Sequence, residues 1–165
     1  MVSAYVWRVG SEAKGGPMSG DDELIRLYSQ RILALAADIP LTERLEHPQV
    51  SVRRRSPLCG STVTVDLELD GGTVRAFGQD VRACALGQAS AAILAQHVVG
   101  ATRDEIATAR AELVAMLKSD GPAPAAPFEA LEVLGPARSY KNRHASILLA
   151  WDATLAAFDE AAAAA

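Results

Sequence analysis

An unbroken alternation near the middle of the chain constrains the fold more than any other feature. Val63, Val65, Leu67 and Leu69 take every second position, with Thr62, Thr64, Asp66 and Glu68 between them. Successive side chains of a strand point to opposite faces, so this pattern predicts one apolar face and one wet face. Asp70-Gly71-Gly72 follows and supplies the positive-φ residues of a tight turn. Thr73 to Phe77 then reads as the returning strand, and Gln49 to Arg55 as a candidate third strand.

Helical spacing surrounds this hairpin. From Asp22 the apolar positions Leu24, Leu27, Tyr28, Ile32 and Leu35 predict a helix, with Asp21-Asp22-Glu23 at its positive end and Pro40 marking its stop. After Cys84 a second helix uses Leu86, Ala89 and Ile93, with His97 on the same stripe and Gly100 as C-cap. Thr102-Arg103-Asp104-Glu105 is a capping box opening a third helix through Ile106, Leu113 and Leu117. Phe128 to Leu134 reads as a short helix stopped by Gly135-Pro136. The last helix begins between Asn142 and Ser146, with Leu148, Trp151, Leu155 and Phe158 facing the core. Residues 1–20 lack periodicity and contain Lys14-Gly15-Gly16-Pro17, so a disordered arm is expected there. Residues 21–160 form one expected domain, and 161–165 a fraying alanine tail.

Bulk composition narrows the function. A net charge of −4 over 165 residues argues against a dedicated nucleic-acid surface. The run Arg53-Arg54-Arg55 reads as a solvated strand end. No apolar run is long enough to span a bilayer, and the N-terminus lacks a signal-peptide layout. Two cysteines cannot build a disulfide framework, so reduced thiols in a cytoplasmic protein are expected.

Those two cysteines carry the chemistry. Counting outward from Gly71, Gly60 and Arg82 fall opposite each other in a regular hairpin, and Cys59 and Cys84 lie just beyond that pair. Both thiols therefore converge on one end of the sheet. Cys84 stands where strand becomes helix, and exposed N–H groups there lower a thiol's pKa. Thiolate is both a nucleophile and a soft metal ligand. A cysteine is equally at home as a small buried hydrophobe, so spacing alone leaves these alternatives open. Of the histidines, His97 reads as a core or boundary residue and His47 as a surface one. His144 begins the last helix, as a third ligand or as a cap. No phosphate loop or catalytic triad stands out.

Together these segments resemble the U-type iron–sulfur cluster scaffold family of IscU, SufU and NifU N-terminal-domain proteins. Pro57-Leu58-Cys59-Gly60 is similar to the family's Asn-Pro-x-Cys-Gly-Asp motif. Cys84-Ala85-Leu86-Gly87-Gln88-Ala89-Ser90-Ala91 is similar to its second cysteine motif, and His144-Ala145-Ser146-Ile147-Leu148 to its His-Cys-Ser-x-Leu element. Tyr28-Ser29 resembles the family's opening Tyr-Ser. The resemblance implies an α+β fold, with a small antiparallel three-stranded sheet packed against a layer of helices. It implies a non-enzymatic scaffold that receives sulfur from a cysteine desulfurase, holds a labile [2Fe–2S] cluster, iron or zinc, and passes a cluster to apo-proteins. Neither nucleic acid nor membrane is implied as a partner, and a monomer or weak dimer is expected. Two departures matter: Ser61 stands at the family's aspartate and Ala145 at its third cysteine. The ligands carried over are Cys59, Cys84 and His144, with Ser61 a substitute at the carboxylate position; Asp80, near Cys84 in sequence, is a weaker candidate that reads first as a solvated loop acid. Cys59 or Cys84 would then accept the sulfur. A degenerate interaction module that binds no metal, and a zinc-dependent sulfur acceptor, are the alternatives.

Overall fold

A computed structural model describes residues 28–164. Strands β1 (Val50–Arg55), β2 (Thr62–Asp70) and β3 (Thr73–Arg82) form an antiparallel sheet in that order. Helices α1 (Gln30–Ala37), α2 (Ala85–His97), α3 (Arg103–Lys118) and α4 (His144–Ala164) accompany it, α4 and α2 packing on the strands, with 3-10 turns over Glu129–Ser139 and Lys141–Arg143. The architecture is the expected α+β arrangement. Among the described residues, no helix is long and apolar enough to cross a membrane.

The hairpin forms at the expected turn. Gly71 and Gly72 have φ of 59° and 85°, which only residues free of a Cβ penalty adopt readily. The register pairs Leu69 with Val74 and Glu68 with Ala76, so Arg75 is an extra residue in β3, a bulge that shifts every later pair. β3 runs to Arg82, past the expected end at Phe77.

Val63, Val65 and Leu67 are buried on the inner face, where α4 crosses β1 and β2 and α2 packs beside β3. Burying each such side chain stabilises by about 1.5–3 kcal/mol before entropy is counted. One polar relay sets how α4 lies on α2. The Trp151 indole N–H donates to Ser90 Oγ at 2.9 Å, and the Ser90 hydroxyl donates to the Ile147 carbonyl at 2.7 Å. The Trp151 ring also meets Phe128 edge-on at 5.1 Å.

The outer face is less wet than the alternation implied. The Leu41–Leu45 segment runs along the free edge of β3, where the Gln79 N–H donates to the Leu41 carbonyl at 2.9 Å. It crosses at Gly78, where a Cβ would stand 2.4 Å from the Glu43 carbonyl oxygen. Arg44 then grips Asp66, whose side chain is wholly buried, with an Nη2–Oδ1 distance of 2.9 Å. The Leu45 N–H (3.1 Å) and the Ser51 hydroxyl (2.7 Å) complete the carboxylate's shell. Burial alone would raise the Asp66 pKa, but these donors outweigh it and hold the group below the usual carboxylate range.

Local boundaries mostly follow their signals. Thr102 caps α3 by accepting the Glu105 N–H at 3.2 Å. Ser29 caps α1 by accepting the Ile32 N–H at 3.3 Å, so Tyr28-Ser29 precedes the helix rather than lying inside it. The expected helical residues 22–27 and the arm over residues 1–20 lie outside the described residues. The 3-10 run passes through Gly135-Pro136, where a stop was expected, because short turns restart without needing the missing proline N–H. Ala161, placed at the start of a fraying tail, is buried within α4.

Candidate functional site

The hairpin, a tight loop and one helix cap deliver the thiols. Thr62 faces Arg82 in the last pair of the hairpin, so the segments that lead to Cys59 and Cys84 leave the sheet at the same end. Between β1 and β2 the chain folds on itself: the Ser56 N–H donates to the Ser61 carbonyl (2.8 Å) and the Gly60 N–H to the Ser56 carbonyl (3.0 Å). Gly60 has φ 71°, which closes this loop and leaves Cys59 exposed at its tip. Cys84 is the N-cap of α2, with extended backbone, and is half-buried.

A chain of hydroxyls joins the two sulfurs. Cys59 Sγ lies 3.2 Å from Ser56 Oγ and 3.2 Å from Ser61 Oγ. Ser61 Oγ lies 3.1 Å from Ser146 Oγ, which in turn lies 3.5 Å from Cys84 Sγ. Ser146, in the first turn of α4, is the hinge of this arrangement. It reaches Cys84 only because residue 87 is glycine, since a Cβ there would stand 2.6 Å from Ser146 Oγ and 2.8 Å from Ala83 Cβ.

Both thiols are held more acidic than an ordinary cysteine. Burial opposes ionisation of Cys59, but the Ser56, Ser61 and Ser146 hydroxyls and the Ser61 backbone N–H overcome it and bring the pKa down to about 7. For Cys84 burial again pushes upward. The Gly87 N–H, the Ser146 hydroxyl, the Arg143 guanidinium and the Leu86 N–H outweigh it. Arg143 is correspondingly raised, first by its bond to Cys84.

Of the other sequence candidates, Ser61 lies at the site, while His144, Asp80 and His97 face other partners. His144 is buried with Nε2 2.9 Å from the Ala137 carbonyl oxygen; a carbonyl only accepts, so Nε2–H donates and ties α4 to the 3-10 run. Among the described residues, no three His, Cys, Asp or Glu side chains are grouped to hold a metal ion, so His144 does not complete a triad with Cys59 and Cys84. Asp80 pairs with Thr64 in the register, on the face away from Val63 and Val81, and its carboxylate lies 3.5 Å from Arg82. Ser61 is at the site, buried between Cys59 and Ser146. His97 sets its ring edge against Phe128 at 5.8 Å. Sequence reasoning passed over Ser56, Arg143 and Ser146. Their signal was present, since each flanks a motif residue already singled out.

A cavity of about 670 Å³ opens beside the thiol loop, between Pro57 and Leu58 on one side and Ala145, Leu148 and Leu149 of α4 on the other. Ser56 lines it while also contacting Cys59.

No family model matches the chain, and no curated protein does. Solved structures do. The N-terminal part of a nitrogen-fixing NifU-like protein from Brucella abortus is 41% identical, with a TM-score of 0.84 over 87% of this chain and 99% of that one. A protein described as an iron–sulfur cluster assembly scaffold for the SUF system of Fervidobacterium islandicum is 18% identical. It superposes with a TM-score of 0.72 over 81% of this chain and 98% of that one, a likeness of fold alone. Identity of 41% across nearly the whole of the NifU-like chain, on the same sheet-and-helix frame, makes this chain a member of the U-type iron–sulfur cluster scaffold family.

Proposed function

We propose that the protein acts in iron–sulfur cluster assembly as a scaffold whose cargo is held between Cys59 and Cys84. One observation carries this reading: the Ser61 and Ser146 hydroxyls bridge Cys59 Sγ to Cys84 Sγ in three short contacts, which supports the two soft, ionisable sulfurs serving one cargo. The donor set does not suit a resident zinc centre, which takes three or four protein ligands. A [2Fe–2S] cargo would be bound by Cys59 and Cys84 as its only protein ligands. Such a cluster usually has four ligands, and leaving the rest to outside groups keeps it transferable to an apo-protein.

Sulfur enters most readily at Cys59, the exposed thiol, about half ionised at neutral pH given a pKa of about 7. Its thiolate attacks the terminal sulfur of a persulfide on a cysteine desulfurase. A new S–S bond forms at Cys59, the donor's S–S bond breaks, and the donor leaves as thiolate with the proton retained on the transferred sulfur.

The test is anaerobic incubation with ferrous iron, cysteine and a cysteine desulfurase. Wild type should develop sulfide-to-iron charge-transfer absorption, and Cys59→Ala and Cys84→Ala should each lose it. His144→Ala should retain it. Equal loading of wild type and the double cysteine variant would overturn the reading. Binding of a desulfurase by that double variant, with no chromophore in wild type, would instead support an interaction module.

A further inference from the structure

The cavity beside Ser56 has the size of a small-molecule site, which typically spans about 300–1,000 Å³. Its walls are apolar, with Pro57, Leu58 and Leu148 among them, and Leu58 is 76% exposed. Its rim is cationic and largely unneutralised. Of the charged residues lining it, Asp152 is engaged by Arg110, and Arg138 lies 3.0 Å from Asp120. Arg55, Lys118 and Lys141 are exposed and make no ion pair among the described residues. A concave site with apolar walls and spare cations favours an organic anion over a bare ion.

Position adds the second half of the argument. Ser56 belongs to both the cavity and the thiol site, since its Oγ is 3.2 Å from Cys59 Sγ. On the other side Ala145 lines the cavity while its neighbour Ser146 touches Cys84. The site offers two thiolates where a [2Fe–2S] cluster takes four ligands, and the side chain at 145 has no donor atom. We propose that this cavity seats a small carboxylate-bearing thiol, its carboxylates on Arg55, Lys118 and Lys141, its thiolate at the Ser56 and Ala145 end beside the two cysteines, where it would supply a third sulfur ligand. The ligand role rests on the scaffold reading above; the binding of the anion does not.

Reduced glutathione, a thiol with two carboxylates, serves as the probe. Titrated into the metal-free full-length chain, it should give saturable amide shifts at Leu58, Ala145 and Leu148. Arg55→Glu and Lys141→Glu, both at exposed positions, should each weaken binding by about tenfold. S-methylglutathione should bind the metal-free protein as well as glutathione does. Only glutathione should slow loss of a reconstituted cluster, and Ala145→Cys should make that loss independent of it. Absence of saturable shifts, indifference to charge reversal, or displacement by equimolar inorganic phosphate would overturn the seat, whether or not a cluster forms. Equal protection by the S-methyl form would overturn the ligand role. Absence of a cluster under every condition would sink the scaffold reading and the ligand role together, leaving the titration to judge the seat.

Discussion

Two polar clusters tie the sheet to its surroundings, and they are built in opposite ways. At Asp66 full charges meet: a guanidinium, a hydroxyl and a backbone N–H fill the carboxylate's shell, and a strap of chain covers it. At the thiols the partners are mostly neutral hydroxyls, which favour ionisation without cancelling the charge they favour. The first arrangement is saturated and has no capacity left for a ligand. The second keeps two acidic sulfurs near the surface with lone pairs to spare. The contrast separates a polar group that holds a fold from one that waits for a partner.

The sharpest way to break the contrast is at the contact on which the thiol cluster depends. Gly87→Ala places a methyl 2.6 Å from Ser146 Oγ and 3.0 Å from the Ser146 carbonyl oxygen, forcing α2 and α4 apart. Overpacking of this kind costs about 1–3 kcal/mol, against a gain of under about 1 kcal/mol in helix propensity. Thermal melts should show net destabilisation, and thiol titrations should show both pKa values moving upward.

Next in size is the saturated cluster. Asp66→Ala removes the anchor of the strap and strands the Leu45 N–H, an expected cost of about 2 kcal/mol in urea unfolding with cluster loading retained. The acid dependence follows the same group. Because its folded pKa is lowered, its contribution is full above the unfolded carboxylate value and is lost as pH falls through the folded one. The variant should therefore lose stability less steeply in acid than wild type.

Smaller still is Ser146→Ala. It leaves the packing nearly intact but removes a donor common to both thiolates. In wild type, Cys59 alkylation followed against pH should have its midpoint at about 7. In the variant the midpoints of both cysteines should rise. The linked stability has a definite sign: it is full above the unfolded thiol pKa and fades as pH drops through about 7. A shift at only one cysteine would dissolve the idea of a common site.

Much of this was legible in the chain. The hairpin was, because alternation and Asp70-Gly71-Gly72 are local signals that tertiary packing here reinforces. The convergence of Cys59 and Cys84 followed from counting outward from the turn, and the bulge at Arg75 moves the register by one without parting them. The burial of Asp66 was not legible, since its cover comes from Arg44, and no period in β2 encodes a strap crossing at Gly78. His144 shows a different limit. Its place at the start of α4 was readable, but the direction of its ring depends on Ala137, delivered by 3-10 turns that run through a proline expected to end them. Ser146 was overlooked because serine at a helix start reads first as a cap, and its role appears only when Gly87 admits α4.

Cobalt(II) titration of the anaerobic, metal-free protein tests the shared site most directly, because thiolate-to-cobalt charge-transfer intensity counts the sulfurs on the metal. Per bound cobalt, wild type should absorb about twice as strongly as Cys59→Ala or Cys84→Ala, and His144→Ala should match wild type. Equal intensity in wild type and either cysteine variant, or a loss in His144→Ala alone, would contradict a site in which these two thiols act together.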